Sequence, residues 1–319
     1  MQQSPPNSAN GSDDPNREPG TLPEPSRRLR WIIDRAVAVL LFACALFSVM
    51  VTAGIVFVLI AESAPFFARV PLSDFFTDTM WTPLFARPRY GILPLLVGTL
   101  VTTLVALTVA IPCGTVIAAW LSEFAPARVR ETAKPVLELL AAVPTVVYGY
   151  FAVQLVTPAL QQLMPGLPTF NMLSAGLVMG AMIIPYVSSL SEDAMRAVPM
   201  TLREGSYATG CGKLGTTTRV VTPAALSGII SAYILAISRA VGETMIVAIA
   251  AGQQPELTFD PREPAATITA YIAQVSLGDL PHGSIGYQSI FAAGVTLFAV
   301  TLVFNICGHF LRKRFREQY

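Results

Sequence analysis

Long stretches without a charged side chain dominate the hydrophobic pattern of this chain. No Lys, Arg, Asp or Glu occurs in residues 36–61, 90–122 or 139–191. A bilayer core of about 30 Å requires roughly 20 apolar residues per helix, and lipid offers the backbone no hydrogen-bond partner. The pattern therefore predicts an all-α membrane protein with six transmembrane helices. Their approximate bounds are residues 33–61, 92–121, 139–163, 172–190, 224–251 and 288–311.

The overall composition agrees with a membrane protein and excludes other classes. Of 319 residues, 53% are hydrophobic and 13% are charged, whereas about a quarter of a soluble domain is charged. The apolar segments are too long and too uniform for the alternating strands of an outer-membrane barrel. The first apolar run is also too long for a signal peptide, so we expect it to remain as a span.

The basic residues indicate the orientation of the helices, because cytoplasmic loops are enriched in Lys and Arg. With six spans, sixteen basic residues fall on one side, four fall on the other, and Arg239 lies within a span. We therefore expect both ends of the chain, and the loops after spans two and four, to face the cytoplasm.

The first 25 residues contain six prolines together with Ser, Asn, Asp and Gly. This composition cannot bury enough apolar surface to offset the entropy lost on ordering. We expect residues 1–30 to form a disordered cytoplasmic tail and residues 31–319 to form one transmembrane domain. Pro144 and Pro185 fall within the third and fourth predicted spans, and an ordinary kink is the simpler interpretation of each.

Two ionisable residues, Arg239 and Glu243, lie within the fifth predicted span. On a continuous helix they share one face at i and i+4, with Arg239 about 22 Å from the start of the span. A charge at this depth is costly, so both side chains should face a polar cavity, each other or another helix. One interpretation is that they neutralise each other and lock the bundle. The other is that the guanidinium handles an oxyanion, for which its planar fork of donors is suited.

The predicted cytoplasmic loop after span four, about residues 191–223, mixes charge with amphipathic spacing. Pro199 marks the start of a short helix, and Gly210 and Gly212 are placed to end it in the left-handed conformation. The sequence therefore predicts a helical elbow. On spacing alone, a loop that merely connects two spans is the simpler interpretation.

The same loop resembles the signature of permeases in ATP-binding-cassette (ABC) importers. Glu204, Gly205 and Ser206 correspond to a Glu and two small residues, Gly210 follows at the expected distance, and nine residues later the segment ends in Pro223. Gly205 and Thr222 depart from the usual Ala and Leu. The resemblance implies a type I importer fold in which residues 203–212 contact a separate ATPase subunit, with Glu204, Gly210 and Pro223 in the coupling element.

The run from Trp81 onward resembles the permeases of phosphate-specific importers. The segments that carry this resemblance are residues 91–94, 98–99, 121–123, 138–149, 182–185 and 239–245. It implies that Arg239 and Glu243 act in phosphate translocation. It also implies three kinds of partner: a second permease, PstA, which completes the pore; a paired ATPase, PstB; and an extracytoplasmic phosphate-binding protein, PstS.

No catalytic, metal or cofactor site is expected. The chain has no phosphate-loop motif, and His282 and His309 have no partner at ligand spacing. A secondary transporter usually has paired broken helices in two related halves, and no second half repeats the Arg239 and Glu243 pair. An enzyme would need a nucleophile and base brought together. A permease for another oxyanion, such as molybdate, sulfate or phosphonate, remains the nearest alternative.

Overall fold

The computed structural model of the chain describes residues 27–314 apart from 84 and 282, and only the backbone of residues 27–30 and 279. The predicted disordered tail up to residue 26, and His282, lie outside these residues. Residues 27–30, which were also assigned to the tail, already belong to the first helix.

The described residues form fourteen α-helices and contain isolated β-bridges but no strand. Four helices (α3, α5, α9 and α13) continue directly into a π-helical turn. The α-helices are α1 Arg27–Phe67, α2 Leu72–Thr77, α3 Leu93–Ala119, α4 Ala127–Ala141, α5 Thr145–Phe151, α6 Thr157–Leu163, α7 Met172–Arg196, α8 Met200–Ala208, α9 Lys213–Thr216, α10 Thr222–Ala224, α11 Leu226–Val241, α12 Met245–Ala250, α13 Ile268–Gln274 and α14 Ile285–Arg314. The π-helical turns are Trp120–Phe124, Ala152–Val156, Thr217–Val221 and Val275–Asp279.

Four of the helices are long and apolar enough to cross a membrane: α1, α3 with its π-helical turn, α7 and α14. Two further crossings result if each of two bent helix pairs counts as one span, which gives up to six in the described residues. The predicted all-α membrane fold is therefore confirmed. All four continuous spans extend beyond their predicted C-terminal ends, because polar helix ends carry no hydropathy signal.

The third predicted span is wrong as a single helix. Helix α4 and the helix from Thr145 to Leu163 meet at 84°, and Pro144 at the junction is extended, with φ −56° and ψ 131°. A proline disfavours helical geometry in the residue before it, so the helix ends there and a new one starts at Thr145. Pro185, in contrast, lies inside the continuous helix α7.

The fifth predicted span is also interrupted. The chain bends by 71° at Ala225, where α11 begins, and it leaves the helical path again between Val241 and Met245. Residues 242–244 join α11 to the short helix α12. Arg239 lies in α11 and Glu243 lies within this second break, so the prediction that they share one continuous helix is wrong.

The chain divides into two compact units, one ending at Ile55 and the other beginning at Val56. In the first unit, α1 exposes its large apolar side chains from Trp31 onward. In the second, α3 and α7 pack closely at small residues: a Cβ on Gly180 would lie 2.7 Å from the carbonyl oxygen of Ala106. Such contacts bring helix backbones together where lipid gives no hydrophobic drive for association.

Three apolar clusters form the core of the second unit. The largest includes residues of α3, α7, α11 and α12. A second, rich in aromatic rings, contains Phe66, Phe75, Trp81 and Tyr271, whose rings meet edge to face, as between Trp81 and Tyr271 at 5.0 Å. A third, around Met195, Val221 and Ile229, lies beside the elbow formed by α8 and α9. The elbow is therefore attached to the bundle by its own apolar base.

Candidate functional site

Arg239 occupies the last turn of α11, and its side chain is 40% exposed. Its Nη2 atom lies 3.9 Å from Oε2 of Glu243, whose side chain is 4% exposed. The predicted pairing of the two residues is thus present across the break, as a long contact. In the described part of the chain, the Arg239 guanidinium makes no hydrogen bond, so its N–H groups remain available to an acceptor from outside.

Glu243 is held in place by the start of α12. Its Oε1 atom accepts hydrogen bonds from the backbone N–H groups of Met245 and Ile246, at 3.1 and 3.5 Å. Its own carbonyl oxygen accepts a 2.6 Å hydrogen bond from the hydroxyl of Thr269. A carboxylate is favoured at a helix N-terminus, where it meets unpaired N–H groups and the positive end of the dipole. Glu243 therefore fixes the break structurally while its second oxygen faces Arg239.

Tyr186 completes the surroundings of Arg239, and the sequence did not single it out. The guanidinium carbon of Arg239 lies 5.6 Å from the centre of the Tyr186 ring, which belongs to α7. A cation over an aromatic face is stabilised by the ring quadrupole and its position is restricted. The one available signal was indirect: Tyr186 directly follows Pro185, the end of a segment that carries the family resemblance.

Together these contacts arrange Arg239 as an oriented cation. Tyr186 lies against one face of the guanidinium, the Glu243 carboxylate lies nearby but beyond hydrogen-bonding distance, and the side chain is partly exposed. Guanidinium stays protonated and presents donors in a fork that matches an oxyanion. The site can therefore bind an anion without a change in protonation.

The residues predicted to take part in coupling lie on exposed surface, Glu204 and Gly210 on the elbow and Pro223 in α10. Helix α8 begins after Pro199, as predicted, and Gly210 has φ +81°, which confirms its predicted left-handed conformation. The same prediction for Gly212 is wrong, because its φ is −72° and its backbone is extended. Glu204, Gly210 and Pro223 are all exposed.

Arg203 does not join this exposed surface. Its Nη2 and Nε atoms donate to the Glu123 carboxylate at 2.8 and 3.3 Å, and it also donates to the carbonyl oxygens of Val198 and Met195 at 2.6 and 2.9 Å. The prediction that residues 203–212 form the contact surface is therefore wrong for Arg203. The Arg203 guanidinium is buried because its hydrogen-bond acceptors, the Glu123 carboxylate and two backbone carbonyl oxygens, lie between the elbow and the long helices.

Glu123, a residue without an assigned role in the sequence, lies in the π-helical turn at the end of α3. Its side chain is 6% exposed and that of Arg203 is 10% exposed. A second ion pair joins Lys134 of α4 to Glu192 and Asp193 of α7, at 3.0 and 2.5 Å. The first ion pair connects α8 to the end of α3, and the second connects α4 to α7.

Comparison with known proteins gives one family and many relatives. Residues 110–317 match the family described as "Binding-protein-dependent transport system inner membrane component". A probable ABC transporter permease, YqgH of Bacillus subtilis, is 30% identical over 91% of this chain and 94% of its own length. The phosphate transport system permease protein PstC of Xylella fastidiosa strain 9a5c is 32% identical, over 84% and 90%. PstC 1 of Mycobacterium tuberculosis is 31% identical, over 75% and 81%.

Solved structures with this fold come from other ABC importers. A chain of a bacterial alginate ABC transporter, in complex with a pentasaccharide-bound periplasmic protein, superposes with a TM-score of 0.61 at 16% identity, covering 92% of this chain and 98% of its own. A chain of the MetNI methionine ABC transporter has a TM-score of 0.53 at 15% identity, covering 71% and 95%. At these identities the likeness concerns the fold, and it confirms the expected type I importer architecture.

The family match includes the elbow, Arg239 and most of the second unit. Members of this family are non-enzymatic membrane subunits that work with a separate ATPase and a substrate-binding protein. The chain therefore belongs to the binding-protein-dependent transport system inner membrane components, as the permease subunit of an ABC importer.

Proposed function

We propose that this chain is the permease subunit of an ATP-driven importer of inorganic phosphate, in the inner (plasma) membrane of a bacterial cell. The observation that carries the proposal is the oriented, exposed guanidinium of Arg239 inside a broken span. The relatives named as phosphate transport permeases support phosphate as the oxyanion, since they match three quarters or more of this chain.

In this proposal Arg239 and Glu243 act in substrate translocation. Phosphate at neutral pH offers several anionic oxygens, and a guanidinium fork can meet two of them at once. The Glu243 carboxylate, already held by α12, repels a fully charged anion and so limits how long it stays. Conduction requires that the anion binds favourably enough to enter the site and weakly enough to leave it.

The partners follow from the same proposal. A second permease, PstA, covers the exposed side of Arg239 and closes the pathway. A PstB ATPase dimer supplies the energy and the extracytoplasmic protein PstS delivers phosphate. Glu204, Gly210 and Pro223 form the coupling element against PstB. All three are exposed, Glu204 and Gly210 on the elbow and Pro223 in α10, and the base of the elbow packs on the bundle.

Transport by the assembled complex tests the proposed substrate. In proteoliposomes that contain this chain, its partner permease and the ATPase, with the binding protein outside, we expect labelled phosphate to accumulate only with ATP inside. Excess unlabelled phosphate should compete, and sulfate, molybdate and phosphonate should not. Competition by one of these anions alone would assign the permease to that anion. Accumulation without ATP would favour a secondary transporter.

Gly210 offers a sharp test of the coupling element. We expect Gly210→Val to strain the elbow, because a β-branched residue is strongly disfavoured at φ +81°. ATP hydrolysis should then continue with import reduced at least about tenfold, a loss equivalent to about 1.4 kcal/mol. The paired measurement is phosphate import per ATP hydrolysed.

Gly212→Val is the matched control. An added Cβ would meet no atom within 4 Å at either glycine, and Gly212 has the extended backbone that valine adopts readily. The two variants therefore differ in backbone strain. Equal import by both, with normal recovery of the ATPase, would count against a coupling role for Gly210.

A further inference from the structure

A polar cavity of about 550 Å³ opens between α11 and α14, at the end of the bundle predicted to face the cytoplasm. Its volume lies within the range of small-ligand sites, roughly 300–1,000 Å³. The residues that line it are Ser227, Gly228, Ser231, His309, Arg312 and Lys313. Neither Arg239 nor the elbow contributes to this lining, so the cavity is distinct from the sites described above.

Each helix presents one face to the cavity. Ser227 and Ser231 lie one turn apart on α11, while His309, Arg312 and Lys313 lie one turn apart on α14, at i, i+3 and i+4. The two helices approach closely at Gly308, where an added Cβ would lie 2.5 Å from the Ile234 side chain. The close packing at Gly308 fixes the spacing between the hydroxyl face and the basic face.

Among the described residues, the lining of the cavity carries positive charge that no carboxylate balances. It includes two permanent cations, and within the same residues neither Arg312 nor Lys313 forms an ion pair with Asp or Glu. Arg312 Nη2 lies 3.3 Å from His309 Nδ1. Since arginine only donates, Nδ1 of His309 is the acceptor in this contact, and within the described residues Nε2 of His309 makes no hydrogen bond.

The serine residues of α11 add hydroxyl donors to the cavity. The Ser231 hydroxyl donates to the Ser227 carbonyl oxygen at 2.9 Å, a local bond that a hydroxyl can exchange by rotation. The Ser227 hydroxyl makes no hydrogen bond to the described residues. Guanidinium, ammonium, imidazole N–H and hydroxyl groups thus converge on one space from two helices.

We propose that this cavity binds a phosphate group, through Arg312 and Lys313 with Ser227, Ser231 and His309 as hydrogen-bonding partners. Basic pockets between helices at the cytoplasmic membrane face bind anionic lipid headgroups, and the same donors suit free inorganic phosphate. The proposal does not depend on which anion passes Arg239. A general enrichment of basic residues at helix ends does not account for it, because Arg314 is equally exposed and does not line the cavity.

The test compares two changes at the end of α14 in the assembled transporter. We expect Arg312→Gln with Lys313→Gln to weaken binding of the phosphate ligand at least about tenfold, since each basic group near anionic lipid contributes about fivefold. Arg314→Gln, a neighbouring basic residue outside the cavity, should change binding less than about threefold. Ser227→Ala with Ser231→Ala tests the other face and should weaken binding without altering charge.

Two measurements distinguish the source of the phosphate group. Native mass spectrometry counts retained phosphatidylglycerol against phosphatidylcholine in nanodiscs, and equilibrium dialysis measures labelled inorganic phosphate on the detergent-solubilised complex. Loss of phosphatidylglycerol alone identifies a lipid site, and loss of inorganic phosphate alone identifies a free-phosphate site. If neither changes, or if Arg314→Gln has the same effect as the double variant, the proposal is wrong.

Discussion

Arg239→Gln is expected to reduce phosphate import by at least about 30-fold, in a transporter that still inserts and assembles. The change keeps a polar side chain but removes the charge and the fork of guanidinium donors. A charged hydrogen bond contributes about 2 kcal/mol, which corresponds to about 30-fold, and no other cation contacts Tyr186 or Glu243 in the described residues. Initial rates of labelled phosphate uptake in proteoliposomes give the measurement.

Two further variants separate charge from geometry at Arg239. Lysine keeps the charge but loses the planar fork, so Arg239→Lys should retain part of the import. Arg262→Gln removes an exposed arginine on the connection between α12 and α13, where the pair with Asp260 is local, and import should stay normal. Normal import by Arg239→Gln would show that Arg239 and Glu243 serve only to hold the helices together.

The second large effect is expected at the ion pair between Glu123 and Arg203. Removing one partner of a buried pair leaves the other charge unpaired in a poorly solvated place, at a cost of about 3–5 kcal/mol. Arg203→Met therefore removes the guanidinium partner of the buried Glu123 carboxyl group, and the carbonyl oxygens of Met195 and Val198 lose their hydrogen bonds from the guanidinium. We expect the elbow to detach, with a lower melting temperature and loss of copurified ATPase.

The double variant Glu123→Gln with Arg203→Met tests whether the charges are coupled. Removing both should recover part of the stability lost in Arg203→Met, because no unpaired charge remains. Asp260→Asn supplies an exposed control: Arg262 lowers the pKa of Asp260 to about 2, so that pair is ionised throughout the assay range. If Arg203→Met melts and copurifies like Asp260→Asn, the ion pair has no role in holding the elbow.

The sequence predicted those parts of the fold that depend on local composition. Stretches without charge identified the spans of α3, α7 and α14, since a helix in lipid must be apolar along its length. Gly210 was identified by a backbone requirement that glycine alone meets easily. The two interrupted spans were missed because hydropathy does not report the direction of a helix: residues 139–163 and 224–251 are predominantly apolar on both sides of each bend.

Only the charged residues of the candidate site could be predicted from the sequence. Arg239 and Glu243 stand out in an apolar segment, but Tyr186 is one aromatic residue among many until α7 places it beside Arg239. The break that separates the pair depends on Thr269, 26 residues after Glu243. Likewise Arg203 meets Glu123 across 80 residues. Contacts between residues so far apart in the sequence depend on tertiary packing, and the local spacing of residues does not predict them.

The interruption after Val241 has a mechanical consequence. Helix α11 runs from the elbow side of the bundle to Arg239, and its 16 residues form a rod about 24 Å long. Beyond the rod, residues 242–244 leave the regular helix, although the backbone N–H groups of Gly242 and Glu243 still donate to the carbonyl oxygens of Ser238 and Ala240. The Thr269 hydroxyl in turn donates to the carbonyl oxygen of Glu243. Because α11 is one continuous helix up to Val241, we expect any displacement along its axis to move the Arg239 guanidinium, while the hydrogen bond from Thr269 holds Glu243.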